Sequence, residues 1–253
     1  MKKVILGLCA AVFGAFSANA SSDSLNIYIS NKLSYAMLNQ TGGKNTDSMV
    51  DKVETMKDGS AGTFGNKLAA GLAFPTGESS GMFRAEIEWG MFAPAKIQSV
   101  GTKLIFEGVP YLGDDLTRGT NEFGVSTYFI NVYYDLRLGS DFSLYFGVGG
   151  GAANIKATTN YALLDGYDYN ADPDYFLIDQ GGGATNFGWN AALGLGYSLT
   201  DRLTLDFGYR YVSLGSVTAV ARYGEIGQVY AGKAFNKTSL SMHDVSLGLR
   251  YMF

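Results

Sequence analysis

The only histidine of the chain, His243, follows a serine, Ser241, by two residues. A histidine that takes the proton of a serine hydroxyl can drive the hydrolysis of an acyl ester. Residues two apart in a β-strand share a face, so these two side chains would point the same way. However, no acidic partner that would orient the imidazole is evident, and a histidine at the rim of a fold is commonly an interface residue. We therefore predict that the protein is not an enzyme.

A second cluster, Asp168, Asn170 and Asp172, places carboxylate and amide oxygens at alternate residues, as calcium-binding loops do. Pro173 follows where the sharp turn of such a loop requires glycine, and no helices flank the segment. Two hypotheses remain open, a weak external Ca²⁺ site and a solvated acidic loop. Elsewhere in the chain we predict no metal site.

The sequence gives little support to cofactor chemistry. The glycine-rich run at residues 147–151 suggests a phosphate-binding loop, but such a loop leads into a helix, whereas this run lies in an alternating, strand-like segment. One cysteine and one histidine leave too few soft or imidazole ligands for a transition-metal centre. We predict no cofactor.

A larger set of charged residues alternates with apolar residues along the chain. Four are bases and five are acids: Lys32, Arg84, Glu86, Glu88, Asp135, Asp206, Arg210, Asp244 and Arg250. Such a set can line a path for ions, or it can form buried ion pairs that fix how strands align. Which of the two applies depends on the elements that carry these residues.

Alternation of apolar with small or polar residues, the period of a β-strand, recurs eight times. In the clearest case, five apolar residues from Val245 to Phe253 share one face, opposite small, polar and charged residues. The eight segments predict strands at residues 25–38, 65–74, 82–92, 121–136, 142–156, 187–199, 203–213 and 241–253.

Long and short connections alternate between these strands. Four long ones cover residues 39–64, 93–120, 157–186 and 214–240, and short turns separate the other strands. Structureless loops of this length are uncommon inside compact soluble domains, whereas membrane barrels combine short periplasmic turns with long external loops. An even number of strands closes without an edge, as a lipid-spanning sheet must. We predict an all-β, eight-stranded antiparallel up-and-down transmembrane β-barrel with short periplasmic turns and four long external loops.

The first 20 residues have the pattern of a secretory signal peptide. Lys2 and Lys3 precede an apolar run at residues 4–16, and small residues end the segment at Ala20. We predict a signal peptide at residues 1–20 and a barrel domain at residues 21–253. Removal of the two lysines takes the formal net charge from −4 to −6, which disfavours a nucleic-acid partner.

Strand parity places the nine charged residues on the face opposite the aromatic and aliphatic side chains. Aromatic side chains suit the two interfacial girdles of a membrane barrel, and small polar ones suit its lumen. An eight-stranded lumen is only wide enough for side chains, where charge must be paired and hydrogen-bonded. We therefore predict an ionic network in the lumen with further bonds from Asn131, Tyr133, Tyr145 and Asn190. A gated path for ions is the alternative.

Several strands resemble those of the small opacity-protein and OmpX/Ail-like outer-membrane barrels. Residues 201–211 (DRLTLDFGYRY) are similar to the seventh strand of that family, and residues 83–89, 131–135 and 145–152 are similar to the third, fourth and fifth strands. The aromatic end of the chain, with Tyr251 and Phe253, resembles the signal that the β-barrel insertion machinery reads. The resemblance implies an adhesin, an immune-evasion factor or a general surface protein that acts through its loops.

Aromatic residues are concentrated in the third and fourth predicted loops and are candidate binding anchors. They are Tyr161, Tyr167, Tyr169, Tyr175, Phe176, Tyr223, Tyr230 and Phe235. The alternative is that the loops pack on one another or rest on the lipopolysaccharide layer.

These observations predict a protein of the outer membrane of a diderm bacterium. We expect a structural, adhesion-type surface protein with a side-chain-filled lumen, and a narrow porin for ions or small solutes is the alternative. The expected partners are outer-membrane lipid and lipopolysaccharide, the β-barrel insertion machinery, and a host or other extracellular ligand of the loops.

Overall fold

The computed structural model describes residues 25–47, 52–76, 81–106, 108–112, 117–163, 175–225 and 231–253. Nearly all of them lie in ten β-strands: β1 (Asn26–Asp47), β2 (Lys52–Met56), β3 (Gly59–Pro75), β4 (Met82–Phe106), β5 (Val109–Leu112), β6 (Thr117–Arg137), β7 (Phe142–Leu163), β8 (Tyr175–Ser198), β9 (Leu203–Glu225) and β10 (Ala231–Met252). In this part of the chain, no helix is long and apolar enough to cross a membrane.

Eight of the strands form a closed antiparallel ring in chain order. They are β1, β3, β4, β6, β7, β8, β9 and β10, and β10 pairs back with β1. The short strand β2 lies between β1 and β4, and β5 pairs with β4. Closure removes the unpaired edge that an open sheet would present. The predicted all-β, eight-stranded antiparallel up-and-down barrel is confirmed.

The strands of the ring are tilted. Following hydrogen-bonded partners once around the barrel from Ala36 leads back to β1 at Asn26, ten residues nearer to the chain start. A stagger of this kind accompanies strand tilts of about 35–45°. The tilt brings side chains from distant strands to the same depth, which the sequence period alone cannot show.

Next to the short turns, the barrel is apolar outside and polar inside. On β1, Leu33 is 66% exposed, while the neighbouring Lys32 and Ser34 are buried in the interior. The outward band carries aliphatic and aromatic side chains on every strand of the ring. A surface of this composition suits the hydrocarbon layer of a membrane.

The prediction of four long loops is wrong in extent. Most of residues 39–64, 93–120, 157–186 and 214–240 continue the strands, so that β1 reaches Asp47 and β4 reaches Phe106. β2 and β5 also lie within the first two predicted loops. The barrel therefore extends beyond its outward apolar band as a protruding β-wall.

The alternation changes its sense where the strands leave the apolar band. On β4, Lys96 and Gln98 are exposed there, whereas Ala95 and Ile97 are buried inside. A bulge between Phe92 and Ala95 shifts the phase at the same point. In water the apolar face turns inward, as in a soluble barrel. Segments that are apolar inside and polar outside do not fit the alternation of a membrane strand, and for this reason the sequence predicts loops there.

Candidate functional site

All nine predicted lumen residues lie buried inside the barrel, at the end next to the short turns. Nearest to the turns, Arg84 Nε donates to both carboxylate oxygens of Asp135, each at 2.9 Å. Arg250 contacts Asp135 at 3.1 Å and donates two hydrogen bonds to Asp206, at 3.0 and 3.1 Å. These two bases and two acids come from β4, β6, β9 and β10 and form a neutral group.

Glu86 is the centre of the next level. Its carboxylate accepts hydrogen bonds from the hydroxyls of Tyr28, at 2.9 Å, and Tyr133, at 3.1 Å. Lys32 Nζ lies 3.7 Å away and Asn131 Nδ2 donates to it at 3.3 Å. One buried anion thus has one cation and three hydrogen-bond donors, which satisfies a charge that burial would otherwise penalise.

Asn131 continues this level around the barrel, because its Oδ1 accepts a 2.9 Å hydrogen bond from Asn190 Nδ2. Tyr145 takes part through its ring, whose centroid lies 5.3 Å from the guanidinium carbon of Arg84. Arg84 also lies 4.6 Å from the Tyr133 ring centroid. Cation–π contacts of this kind stabilise a guanidinium that has left water.

A third level contains a residue that sequence reasoning missed. Lys67 of β3 is buried and forms an ion pair with Asp244. Asp244 also contacts Arg210 Nη2 at 3.1 Å, and Arg210 Nη1 donates to Glu88. Lys67 is the fifth base and balances the fifth acid, so every level of the ionic network is neutral. Two signals were available: the unequal count of four bases and five acids, and the parity of Lys67 opposite the outward Leu68.

A cluster of buried apolar side chains, called here the apolar layer, lies in the interior beyond the ionic network, toward the protruding end. Its members are Ala36, Leu38, Phe92, Ala95, Ile97, Phe123, Val125, Phe129, Ala153, Ile155, Ala157, Val212, Leu214, Val217, Ala219, Leu240 and Met242. Phe129 joins the two regions, since its ring centroid lies 6.0 Å from the guanidinium carbon of Arg210. A packed apolar layer offers an ion no replacement for its hydration shell.

Buried amides and hydroxyls form a further layer near the protruding end. Asn121 Nδ2 donates to Gln40 Oε1 at 2.9 Å and to Ser99 Oγ at 2.8 Å. Its Oδ1 accepts from Thr159, at 2.9 Å, and from Asn236, at 3.3 Å. Five strands are thereby joined across the interior. The sequence does not indicate this layer, because nearly all of its residues fall in segments that the alternation predicts to be loops.

The predicted loop anchors divide into two groups. Tyr161, Tyr175, Phe176, Tyr223 and Phe235 lie in strands rather than in loops, which corrects their assignment. Tyr167, Tyr169 and Tyr230 lie outside the described residues, as do the calcium candidates Asp168, Asn170 and Asp172. Within the described ranges, no group of three His, Cys, Asp or Glu residues could hold a metal ion.

His243 lies in an outward aromatic girdle at the protruding side of the apolar band. Its Nδ1 lies 2.6 Å from the Tyr209 hydroxyl, and its ring packs against Tyr211 with centroids 5.3 Å apart. Ser241 lies on the same strand, partly exposed. A hydroxyl rather than a carboxylate orients the imidazole, which is the environment of an interfacial residue.

A second girdle lies next to the short turns. Phe83 and Tyr134 pack there at 4.8 Å, and Tyr251 and Phe253 pack at 5.2 Å between centroids. The backbone N–H of Phe253 donates to the Ile27 carbonyl at 3.0 Å, which ties the chain end into the closing β1–β10 pair. Two girdles that bracket an apolar band mark the two membrane interfaces.

Comparison with known proteins places the fold in a biological setting. The chain is 27% identical to the outer membrane protein PagN of Salmonella typhimurium, over 94% of each protein. It is 24% identical to opacity protein V28 of Neisseria gonorrhoeae, over 51% of this chain and 53% of that protein. Neisserial surface protein A superposes with a TM-score of 0.44 at 17% identity, over 90% of this chain and 97% of that structure.

PagN, the opacity protein and a family model confirm the sequence-based assignment to the small outer-membrane barrels and to the outer membrane. That model, described as "Outer membrane protein beta-barrel domain", matches residues 7–253, and the chain belongs to this family of Gram-negative outer-membrane proteins.

Proposed function

We propose that the protein is a closed, side-chain-filled barrel that serves as a structural, adhesion-type surface protein. The proposal is supported by the charge pairing and the packing of the interior. Within the ionic network five buried bases are matched by five buried acids, and an apolar layer packs over them. Such an interior fixes the register of all eight strands and gives the membrane segment a rigid frame.

The ionic network supports a structural role over transport. Each of its carboxylates already contacts a base, so a passing ion would have to break buried pairs. Breaking one buried pair costs about 3–5 kcal/mol. An ion that passed this region would then meet the apolar layer, where it loses its hydration without compensation. A narrow porin is therefore the second candidate and requires a large rearrangement of the interior.

The protruding wall and the connections at its end are the natural interaction surface. The wall extends the strands past the outer aromatic girdle and is polar outside, as the exposed Lys96, Lys156 and Lys237 illustrate. A rigid wall can present connecting segments well above the membrane surface. We propose that an extracellular ligand, such as a host surface molecule, binds at that end. We also propose that residues 1–20 are removed on export and that the protein lacks enzyme activity.

Two assays on the mature barrel test this function. Cells that display the protein should adhere to a host-cell layer, and replacement of residues 164–174 and 226–230 by Gly/Ser segments of equal length should abolish adhesion. The heat-dependent gel shift of these variants should match that of the parent, because the replacements leave the sequence of all eight ring strands unchanged. Liposomes that contain the parent should show no swelling in small sugars. Swelling would favour the porin, and unchanged adhesion would place the binding surface elsewhere.

A further inference from the structure

Two polar side chains interrupt the outward apolar surface. Asn31 of β1 lies in the band between the two aromatic girdles, and Asn66 of β3, whose register partner on β4 is Met91, lies at the level of the outer girdle. The other described outward positions in the band carry apolar side chains or glycine. Asn31 lies between Ile29 and Leu33, both exposed on the same face. Polar side chains at this depth are expensive in lipid, and they commonly mark contacts between membrane segments.

The two asparagines bond to each other. Asn31 Nδ2 donates to Asn66 Oδ1 at 3.2 Å, and Asn66 Nδ2 donates to Asn31 Oδ1 at 3.1 Å. We refer to them as the amide pair. An amide has two N–H donors and an oxygen with two lone pairs, so this exchange uses half of the capacity of each side chain. In the membrane, the remaining donors and acceptors of Asn31 would lie against hydrocarbon, where unsatisfied polar groups are penalised.

A groove of about 600 Å³ lies beside the amide pair on the outer surface of β10, β1, β3 and β4. Ala70, Ile29, Ile87, Trp89 and Leu249 form much of its lining. Asn31 also lines this lateral groove. Polar capacity and a shaped apolar depression thus occur together on one side of the barrel.

Two exposed apolar side chains lie on the same face as the lateral groove, nearer to the protruding end. Leu33 is 66% exposed and Phe64 is 72% exposed, the latter being the most exposed of the large apolar residues in the described chain. Leu33 and Asn66 are direct partners in the β1–β3 register. The same face therefore carries a depression, protruding apolar side chains and unused hydrogen-bonding groups.

We propose that this face, with the amide pair at its centre, is the contact through which two copies of the chain associate side by side in the membrane. Every copy has the same orientation in the outer membrane, so a two-fold axis along the membrane normal keeps equal residues at equal depth. The amide pair of one copy then meets the amide pair of the other, and each supplies the donors and acceptors that the other lacks.

A second copy fits these features better than a lipid chain does. A lipid acyl chain can fill the groove but has no group that bonds an amide. A two-fold contact satisfies the amides on both sides with one arrangement, since the pair is its own complement. The proposal rests on the outer-membrane placement and does not depend on whether the lumen conducts.

Site-directed cross-linking tests the proposed contact. The mature chain contains no cysteine, because Cys9 lies in the predicted signal peptide. L33C should form a disulfide-linked dimer in liposomes under copper phenanthroline. V148C is the matched control, since Val148 is 60% exposed and lies on β7, across the ring from β1. V148C should remain monomeric at the same protein-to-lipid ratio. Equal cross-linking of both variants would reflect random collisions and overturn the proposal.

A second variant tests the amide pair itself. N31L/N66L should fold, because it makes the lipid-facing band uniformly apolar, and its heat-dependent gel shift should be retained. Förster transfer between labelled copies in liposomes should show an association at least about tenfold weaker than in the parent, from the loss of several interfacial hydrogen bonds. Association unchanged in N31L/N66L, or a parent that is monomeric at every protein-to-lipid ratio, would overturn the proposal. The second result would leave an acyl chain as the occupant of the groove.

Discussion

Lys67 provides the sharpest test of the ionic network, because it holds the charge balance of one level. In Lys67→Met the cation is lost, and Asp244 keeps Arg210, at 3.1 Å, as its charged partner. Loss of one member of a buried pair costs about 3–5 kcal/mol, and the remaining contact places this change near the lower limit. In Asp244→Leu, Lys67 loses its ion-pair carboxylate, and we expect a cost near the upper limit, about 5 kcal/mol.

The double variant Lys67→Met/Asp244→Leu distinguishes pairing from simple packing. It removes one base and one acid together and leaves Arg210 paired with Glu88. Replacing both members of a buried pair by apolar side chains is often neutral, so the double variant should unfold close to the parent. The expected interaction energy is therefore several kcal/mol and opposite in sign to the sum of the single effects.

The assay is the midpoint of the heat-dependent gel shift of the mature barrel in detergent. For a chain of this size, 1 kcal/mol corresponds to about 2–4 °C, so Lys67→Met should lower the midpoint by roughly 6–12 °C. Lys96→Met is the matched control, because Lys96 pairs with Glu122 at 3.5 Å on the surface with its side chain 71% exposed. It should change stability by less than about 1 kcal/mol. Equal midpoints for Lys67→Met and Lys96→Met, or strict additivity in the double variant, would show that Lys67 and Asp244 do not stabilise the barrel as a buried ion pair.

Three further predictions concern the lumen, the protruding wall and the chain end. Gly149 faces the interior, where an added Cβ would collide with Asn131 Oδ1. Gly149→Val should therefore destabilise the barrel by about 1–3 kcal/mol or more in the gel-shift assay. Gly139 has open space around it, so Gly139→Ala should leave the stability unchanged. Asn186 Nδ2 donates to two β9 carbonyls, each at 2.9 Å, where the β8–β9 register is interrupted, so Asn186→Leu should cost about 1–3 kcal/mol and accelerate hydrogen exchange in that stretch alone; uniform exchange would argue against a local role. Phe253→Ala should reduce the amount of barrel assembled in the outer membrane while Phe253→Tyr retains it, and equal assembly of both, measured by fractionation, would remove the terminal aromatic from the insertion signal.

Much of the fold was predictable because a β-strand has a strict period of two. When the outer surface of a barrel faces lipid, that period assigns each side chain of a spanning strand to the lipid face or to the interior. The period predicts an interior position for all nine charged residues. The partners of these residues were not predictable. Arg210 and Glu88 are 122 positions apart and meet because of strand stagger, which the sequence does not display.

The remaining errors share one physical cause, the change of solvent along each strand. Below the outer girdle an apolar residue marks the lipid face, and above it an apolar residue such as Ile97 or Phe123 marks the interior. A single criterion for the whole chain therefore ends each strand at the membrane surface. The same criterion does not identify Asn31 and Asn66 as a surface feature, because polar residues inside an apolar run only interrupt the alternation that defines a membrane strand.

We propose that paired charges and an apolar layer close the interior to ions. The decisive measurement is the planar-bilayer conductance of the refolded mature protein, with the heat-dependent gel shift as proof that the ring has closed. A closed interior should give no conductance steps over the full range of applied potential. Stable single-channel steps from closed barrels, with a size that changes in Arg210 or Lys67 variants, would contradict it and show that ions pass through the lumen.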